Sequence, residues 1–350
     1  MKKVLFQLGT EFHYMVALSL IDKYYSGNDY EIHFIIVSNP NNKSRLSDIK
    51  LNEKYKYHKV SYNHNEEKRF QDVIDLKQFI ESNDFHHFTS FLYHDPIFVY
   101  LTYYFKSKKT TTFLAPDGMG AYVKFTAKNY RSRLVNTLKS YKFFKIHGFK
   151  FPKFWFTSWD FGKNGYYDYI YAFSESLPNL PKKNIIAVDY TFSKEQIESL
   201  MKTFELDFSN YPELSKVVLV INERHYLPKY ESQLLKVIAE SLPGNTILFK
   251  KHPNQKIENL SYLADTVYTI DSVFPVEILI ASLKGGIIIS SYSNSMLYHN
   301  PNCKYFWTYP IVASSGELKK DIERFNPKSY IEVKQNFEEL GIALKACTNE

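Results

Sequence analysis

Short apolar runs alternate along this chain with stretches of helical spacing. Lys3–Leu8, Ile32–Val37, Phe85–Tyr93 and Thr110–Leu114 read as strands, and Phe12–Tyr25, Val73–Ser82 and Pro96–Lys106 as helices. A proline-punctuated connector, Leu177–Lys183, interrupts the pattern. It then resumes with strands at Val217–Ile221, Thr246–Phe249, Val267–Ile270 and Ile287–Ser290, and helices at Tyr230–Ser241 and Val276–Leu283. Strands that are apolar throughout are buried on both faces, and parallel strands need a crossover long enough to hold a helix. The alternation therefore requires α/β layers around parallel sheets.

The length of 350 residues suits two such units. We place the boundary near residue 210, giving a first domain over 1–209 and a second over 210–350. A final helix from Asn336 to Cys347 is expected to pack back on the first domain. Two cysteines without metal-type spacing favour a reducing compartment. The Met1-Lys2-Lys3 start mimics a signal peptide, but Gln7, Glu11 and His13 interrupt its apolar run. No segment approaches the ~18–20 apolar residues of a membrane span, so a cytoplasmic protein is expected. The net charge of +7 is concentrated: Val123–Lys153 carries nine Lys or Arg and no acid, interleaved with Phe143, Phe144, Phe149 and Phe151 and followed by Phe154, Trp155 and Phe156. That stretch is either a solvated basic face or a contact for an anionic glycan or the inner membrane surface. No nucleic-acid-binding signature accompanies it.

The chemistry-bearing residues fall at strand ends, where open α/β sheets bind nucleotides. His252-Pro253 follows Thr246–Phe249 and is led in by Lys250-Lys251; Ser290-Ser291-Tyr292-Ser293-Asn294-Ser295 follows Ile287–Ile289. A histidine with serine hydroxyls can neutralise or protonate a leaving phosphate. The serines can equally cap a helix. Glu277 stands alone in an apolar helix start and either complements the helix dipole or grips ribose hydroxyls. Asp117, in Leu114-Ala115-Pro116-Asp117-Gly118, fits a plain Pro-Asp-Gly turn or a general base. Thr10, His13 and Gly118 lie where an acceptor would approach. The spacing of His86, His87, His94 and Asp95 matches no common metal site.

Taken together, the acidic-Gly turn, Lys-His-Pro after a strand and Ser-Ser after a later strand resemble the bacterial sialyltransferases and polysialyltransferases of lipooligosaccharide and capsule synthesis. The segment Phe274–Leu279 is similar to their ribose site. The resemblance implies the GT-B architecture, two Rossmann-like domains with parallel sheets facing a cleft. It also implies an inverting, metal-independent transferase that moves sialic acid from CMP-sialic acid to a surface-glycan hydroxyl, with no cofactor. His252 would then bind or protonate the CMP phosphate, helped by Lys250, Pro253, Ser290, Ser291 and Ser293. Glu277 would hold the ribose, and Asp117 would deprotonate the acceptor. The family has two adjacent acids before the glycine, whereas this chain has Pro116 at the first position, which leaves Glu223 as a reserve base. Three alternatives remain: another CMP-activated sugar (legionaminic acid, pseudaminic acid or Kdo), a CDP-glycerol glycerophosphotransferase, or a catalytically dead nucleotide- or glycan-binding relative.

Overall fold

The computed structural model describes residues 1–38, 44, 46–61, 66–91, 96–117, 134–135, 137–138, 141–142, 145–146, 148, 161, 167–173, 184–188, 191–208, 217–222, 228–252, 267–270, 274–312 and 330–347. They form two compact units, Met1–Asp189 and Tyr190–Glu350.

The first unit is built on seven parallel strands: β1 (Lys2–Leu8), β2 (Tyr30–Ser38), β3 (Lys56–Ser61), β4 (His87–Ser90), β5 (Thr111–Leu114), β6 (Tyr169–Ala172) and β7 (Ile185–Ala187). Their order in the sheet is β3-β2-β1-β4-β5-β6-β7. The chain therefore winds outward from β1 in one direction, then returns to start again at β4. Helices α1 (Glu11–Tyr24), α2 (Glu66–Glu81) and α3 (Pro96–Ser107) make crossovers. Leu5 and Ile35 of the sheet pack with Leu76 of α2 and with Leu101 and Phe105 of α3, all buried. Each such side chain contributes ~1.5–3 kcal/mol by leaving water. α1 begins where it does because the Thr10 hydroxyl accepts the His13 amide, and Glu11 complements the dipole in the first turn.

The second unit repeats the plan with β8 (Val217–Ile221), β9 (Thr246–Lys250), β10 (Val267–Ile270), β11 (Gly286–Ser290), β12 (Cys303–Trp307) and β13 (Ile331–Val333). Again all are parallel, in the order β10-β9-β8-β11-β12-β13. Its longer helices are α4 (Lys194–Thr203), α5 (Pro228–Ser241), α6 (Val276–Ser282) and α7 (Phe337–Ala346), with a single α-helical turn at Tyr309–Val312. Val218, Phe249 and Ile289 meet Leu235 and Ile238 of α5 and Leu340 and Leu344 of α7 in one core.

The division falls ahead of the boundary expected near 210, so α4 belongs to the second unit. The final helix buries its apolar face, Leu340 and Leu344, with α5 of its own unit. The expected connector Leu177–Lys183 and most of the basic stretch 123–153 lie outside the described residues. Among the described residues, no helix is long and apolar enough to cross a membrane.

Candidate active site

In each sheet the winding reverses at one place, between β1 and β4 in the first unit and between β8 and β11 in the second. Neighbouring crossovers diverge there, leaving a crevice beyond the C-terminal strand ends. The chemistry-bearing residues collect at these two edges.

In the first unit, β1 runs out at Leu8 and the chain turns through Gly9 and Thr10 into α1, which places His13 in the helix's first turn. β5 delivers Asp117 from two strands away. His13 Nε2 lies 2.6 Å from Asp117 Oδ1, and Gly9 N–H donates to Nδ1 at 3.0 Å. The imidazole is 0% exposed and the Asp117 side chain 30% exposed. Phe91, immediately after β4 (the strand between β1 and β5), stacks on the imidazole with centroids 4.7 Å apart. Sequence reading made His13 an acceptor contact; in the structure both ring nitrogens are occupied within the fold. Thr10 acts as the α1 cap. Glu11, also buried, accepts a hydrogen bond from Ser44 Oγ at 3.1 Å. Gly118 and the reserve base Glu223 lie outside the described residues, as do His94 and Asp95.

In the second unit, β9 and β11 flank β8, so His252 and Ser290-Ser291 emerge at one edge with a single strand between them. Lys250, Lys251, Ser290 and Ser291 are buried and His252 is partly exposed. Pro253 lies outside the described residues. The Lys250 ammonium sits 5.0 Å from the Phe274 ring centroid and donates to the Lys251 carbonyl at 3.3 Å. The serine cluster is tightly organised. Ser290 Oγ accepts the Ser293 amide at 3.0 Å, and Ser293 Oγ in turn accepts the Ser295 amide at 3.4 Å. The element that Ser293 caps is a single 3-10 turn, Asn294–Leu297, rather than the α-helix start that the sequence also allowed.

Glu277 is 2% exposed. Burial pushes its carboxyl above the usual carboxylate range; hydrogen bonds from its own backbone amide and Ser295, and the charge of Lys250, oppose that rise. Ser295 was not singled out in the sequence, yet its hydroxyl donates to Glu277 at 2.8 Å. A second unread support lies behind Ser290. The Thr308 amide and hydroxyl both donate to the Ser290 carbonyl, at 3.0 and 3.2 Å, and Tyr230 Oη is 2.5 Å from Thr308 Oγ1. Asn222, just past β8, donates its side-chain amide to buried Glu231 of α5. A recess of about 20 Å³, the size of one water, is lined by Asn222, Tyr230, Glu231, Ser290 and Ser291.

Two doubly wound parallel-sheet units, each with polar residues at its reversal point, give the GT-B fold. Solved structures agree in fold. The α/β-galactoside α-2,3-sialyltransferase of Photobacterium phosphoreum superposes with a TM-score of 0.56 at 13% identity, covering 95% of this chain and 98% of that one. The GT-B domain of a Photobacterium damselae sialyltransferase gives 0.50 at 12% identity, covering 95% and 100%. A wall teichoic acid polymerase gives 0.51 at 15% identity, covering 98% and 79%. Among curated protein sequences none matches. The sequence profile of the family described as alpha-2,8-polysialyltransferase (POLYST) matches residues 4–305, and the chain belongs to that family. It is thus a sialyltransferase-type glycosyltransferase, with a nucleotide-sugar donor and a glycan acceptor.

Proposed function

We propose that this protein transfers sialic acid from CMP-sialic acid to a hydroxyl of a bacterial surface glycan, with inversion and without a metal. The observation that carries the reading is the second unit's edge, where His252 and Ser290-Ser291 emerge on either side of β8 with buried Glu277 in the same unit. A partly exposed imidazole beside hydroxyl groups suits the phosphate of a departing CMP. It supplies hydrogen bonds to developing charge, and a proton, with no metal required for either. Glu277, its position fixed by Ser295, suits the paired ribose hydroxyls. On the first unit, Asp117 is the carboxylate that takes the acceptor proton. The basic stretch Val123–Lys153 would favour an anionic acceptor or membrane surface.

The test is a transfer assay with purified protein, CMP-N-acetylneuraminic acid, and labelled lactoside and oligosialic acid acceptors, each with and without EDTA. Release of CMP with a sialylated product in both conditions supports the reading. Turnover of UDP- or GDP-sugars alone would sink it, and CDP-glycerol turnover with phosphorus retained in product would assign the chain to glycerophosphate transfer. CMP-legionaminic acid, CMP-pseudaminic acid and CMP-Kdo in the same assay define the sugar. CMP binding without any turnover would indicate an inactive relative.

A further inference from the structure

The hydrogen bonds at His13 have a direction. A ring nitrogen that accepts a hydrogen bond carries no proton, and Nδ1 accepts the Gly9 amide at 3.0 Å. The ring proton is therefore on Nε2, and Nε2–H donates to Asp117 Oδ1 across 2.6 Å. Each part comes from a different strand end: the turn after β1 sets Nδ1, Phe91 after β4 provides the face on which the ring lies, and the segment after β5 delivers the carboxylate. The planes of His13 and Phe91 are 19° apart, so the ring is held against rotation as well as translation.

A paired histidine and aspartate leave open which one meets the substrate, and burial decides it here. The imidazole is 0% exposed with both nitrogens engaged, whereas the carboxylate is 30% exposed. A proton arriving from an acceptor hydroxyl can reach the carboxylate and cannot reach the ring. We propose that His13 is the positioning residue for the Asp117 carboxylate, fixing its orientation through one N–H while Asp117 itself meets the acceptor. The proposal rests on the reading of Asp117 as the base. Pro116, at the first position of the acidic-Gly motif, is buried and carries no acid, so Asp117 is the motif's one carboxylate, and the histidine that holds it lies over a hundred residues away in sequence.

Two measurements test it on the full chain. In protein labelled with ¹⁵N-histidine, His13 is expected to show a protonated Nε2 and an unprotonated Nδ1; a protonated Nδ1 overturns the proposal whatever the protein transfers. In transfer from CMP-N-acetylneuraminic acid to oligosialic acid, His13→Phe keeps the stacking on Phe91 and removes both hydrogen bonds. Its kcat is expected to fall about 10- to 100-fold, the effect of one hydrogen bond to a charged group, with the donor KM unchanged. His13→Gln, whose amide N–H can reach the same oxygen, is expected to recover most of that loss, and it remains informative if the Phe variant does not fold. In an Asp117→Asn background, His13→Phe is expected to cost nothing further. A raised acceptor KM with intact kcat in His13→Phe would return His13 to acceptor recognition. Full turnover in His13→Phe with loss in Asp117→Asn overturns the positioning role alone, whereas full turnover in Asp117→Asn overturns the base as well.

Discussion

Ser295 holds Glu277: its hydroxyl donates to Oε1 at 2.8 Å, joining the 3-10 turn after β11 to the first turn of α6. A carboxylate 2% exposed costs free energy to ionise unless something answers its charge, and the Ser295 bond and the field of Lys250 answer it in part. Because burial raises the Glu277 pKa in the folded state, the folded protein holds its proton more tightly than the unfolded chain. Stability from this residue is greatest below the usual carboxylate value and is lost as pH rises through the raised one.

Glu277→Gln keeps the side-chain shape and an oxygen for the Ser295 hydroxyl while removing the charge. If the carboxylate grips ribose, the donor KM should rise about 10- to 100-fold with kcat little changed, because that contact exists before and during transfer. Thermal melts should show the variant at least as stable as wild type at neutral pH and less pH-dependent. An unchanged donor KM would reduce Glu277 to a packing residue.

The first unit should lose stability in mild acid. His58 lies against Phe79 with centroids 4.5 Å apart, and its Nε2 is buried with no hydrogen-bond partner. His33 contacts Glu31 through Nε2, while its Nδ1 is buried without a partner. Burial lowers both histidines below the ordinary 6.5, with Asp75 opposing at His58 and Glu31 opposing at His33. The unfolded chain therefore binds more protons below about pH 6.5, and stability must fall as pH drops through that region. Denaturant titrations at pH 7.5 and 5.5 check this, and His58→Phe should shrink the difference. Equal midpoints at the two pH values would show that neither ring is kept from protons.

Much of the fold could be read from the sequence because buried parallel strands announce themselves. β8 and β10 match their expected spans to the residue, being short apolar runs with sharp stops. Five strands were missed, β3, β6, β7, β12 and β13: β6, β7 and β13 span only three or four residues, and the composition of the other two misleads. β3 is Lys-Tyr-His-Lys-Val-Ser at a sheet edge, and β12 is an aromatic run, Cys-Lys-Tyr-Phe-Trp, without β-branching. α4 was legible and overlooked: Ser193 and Gln196 form a capping box. Strand-end position put forward His13, Asp117, His252 and Ser290 as candidates, and in the structure each follows or closes a strand of its sheet. That His13 and Asp117 touch was not legible, because their contact depends on β4 lying between β1 and β5, a property of strand order rather than of either segment.

Gly286 opens β11, the strand that presents Ser290. Its φ is +132°, and a Cβ there would lie 2.4 Å from the Val217 carbonyl oxygen of β8. Neither a backbone carbonyl in a sheet nor the strand itself can yield cheaply. Gly286→Ala should destabilise the second unit by about 2–4 kcal/mol, combining backbone strain with a steric clash. The check is the denaturation midpoint of the variant, followed by a fluorescence probe within that unit. A midpoint within error of wild type would mean that β11 can shift without cost.

His252 separates two uses of one imidazole, clamping the phosphate and protonating it. It stands just past β9, partly exposed, with buried Lys250 and Lys251 before it. Those lysines keep positive charge near the site in any variant, so a purely electrostatic clamp would survive His252→Ala with modest loss. A proton donor would not. We therefore expect kcat to fall about 10²- to 10⁴-fold in His252→Ala, the usual contribution of a general acid. Calorimetry should show CMP binding weakened only about tenfold, one charge-assisted hydrogen bond's worth. His252→Asn offers an amide N–H but no titrating group, so it should recover CMP affinity without recovering turnover. If affinity and turnover instead recover together, His252 binds the phosphate and does not protonate it. If His252→Ala turns over at the wild-type rate, the phosphate lies elsewhere on the second unit and the pairing of His252 with Ser290-Ser291 is only structural.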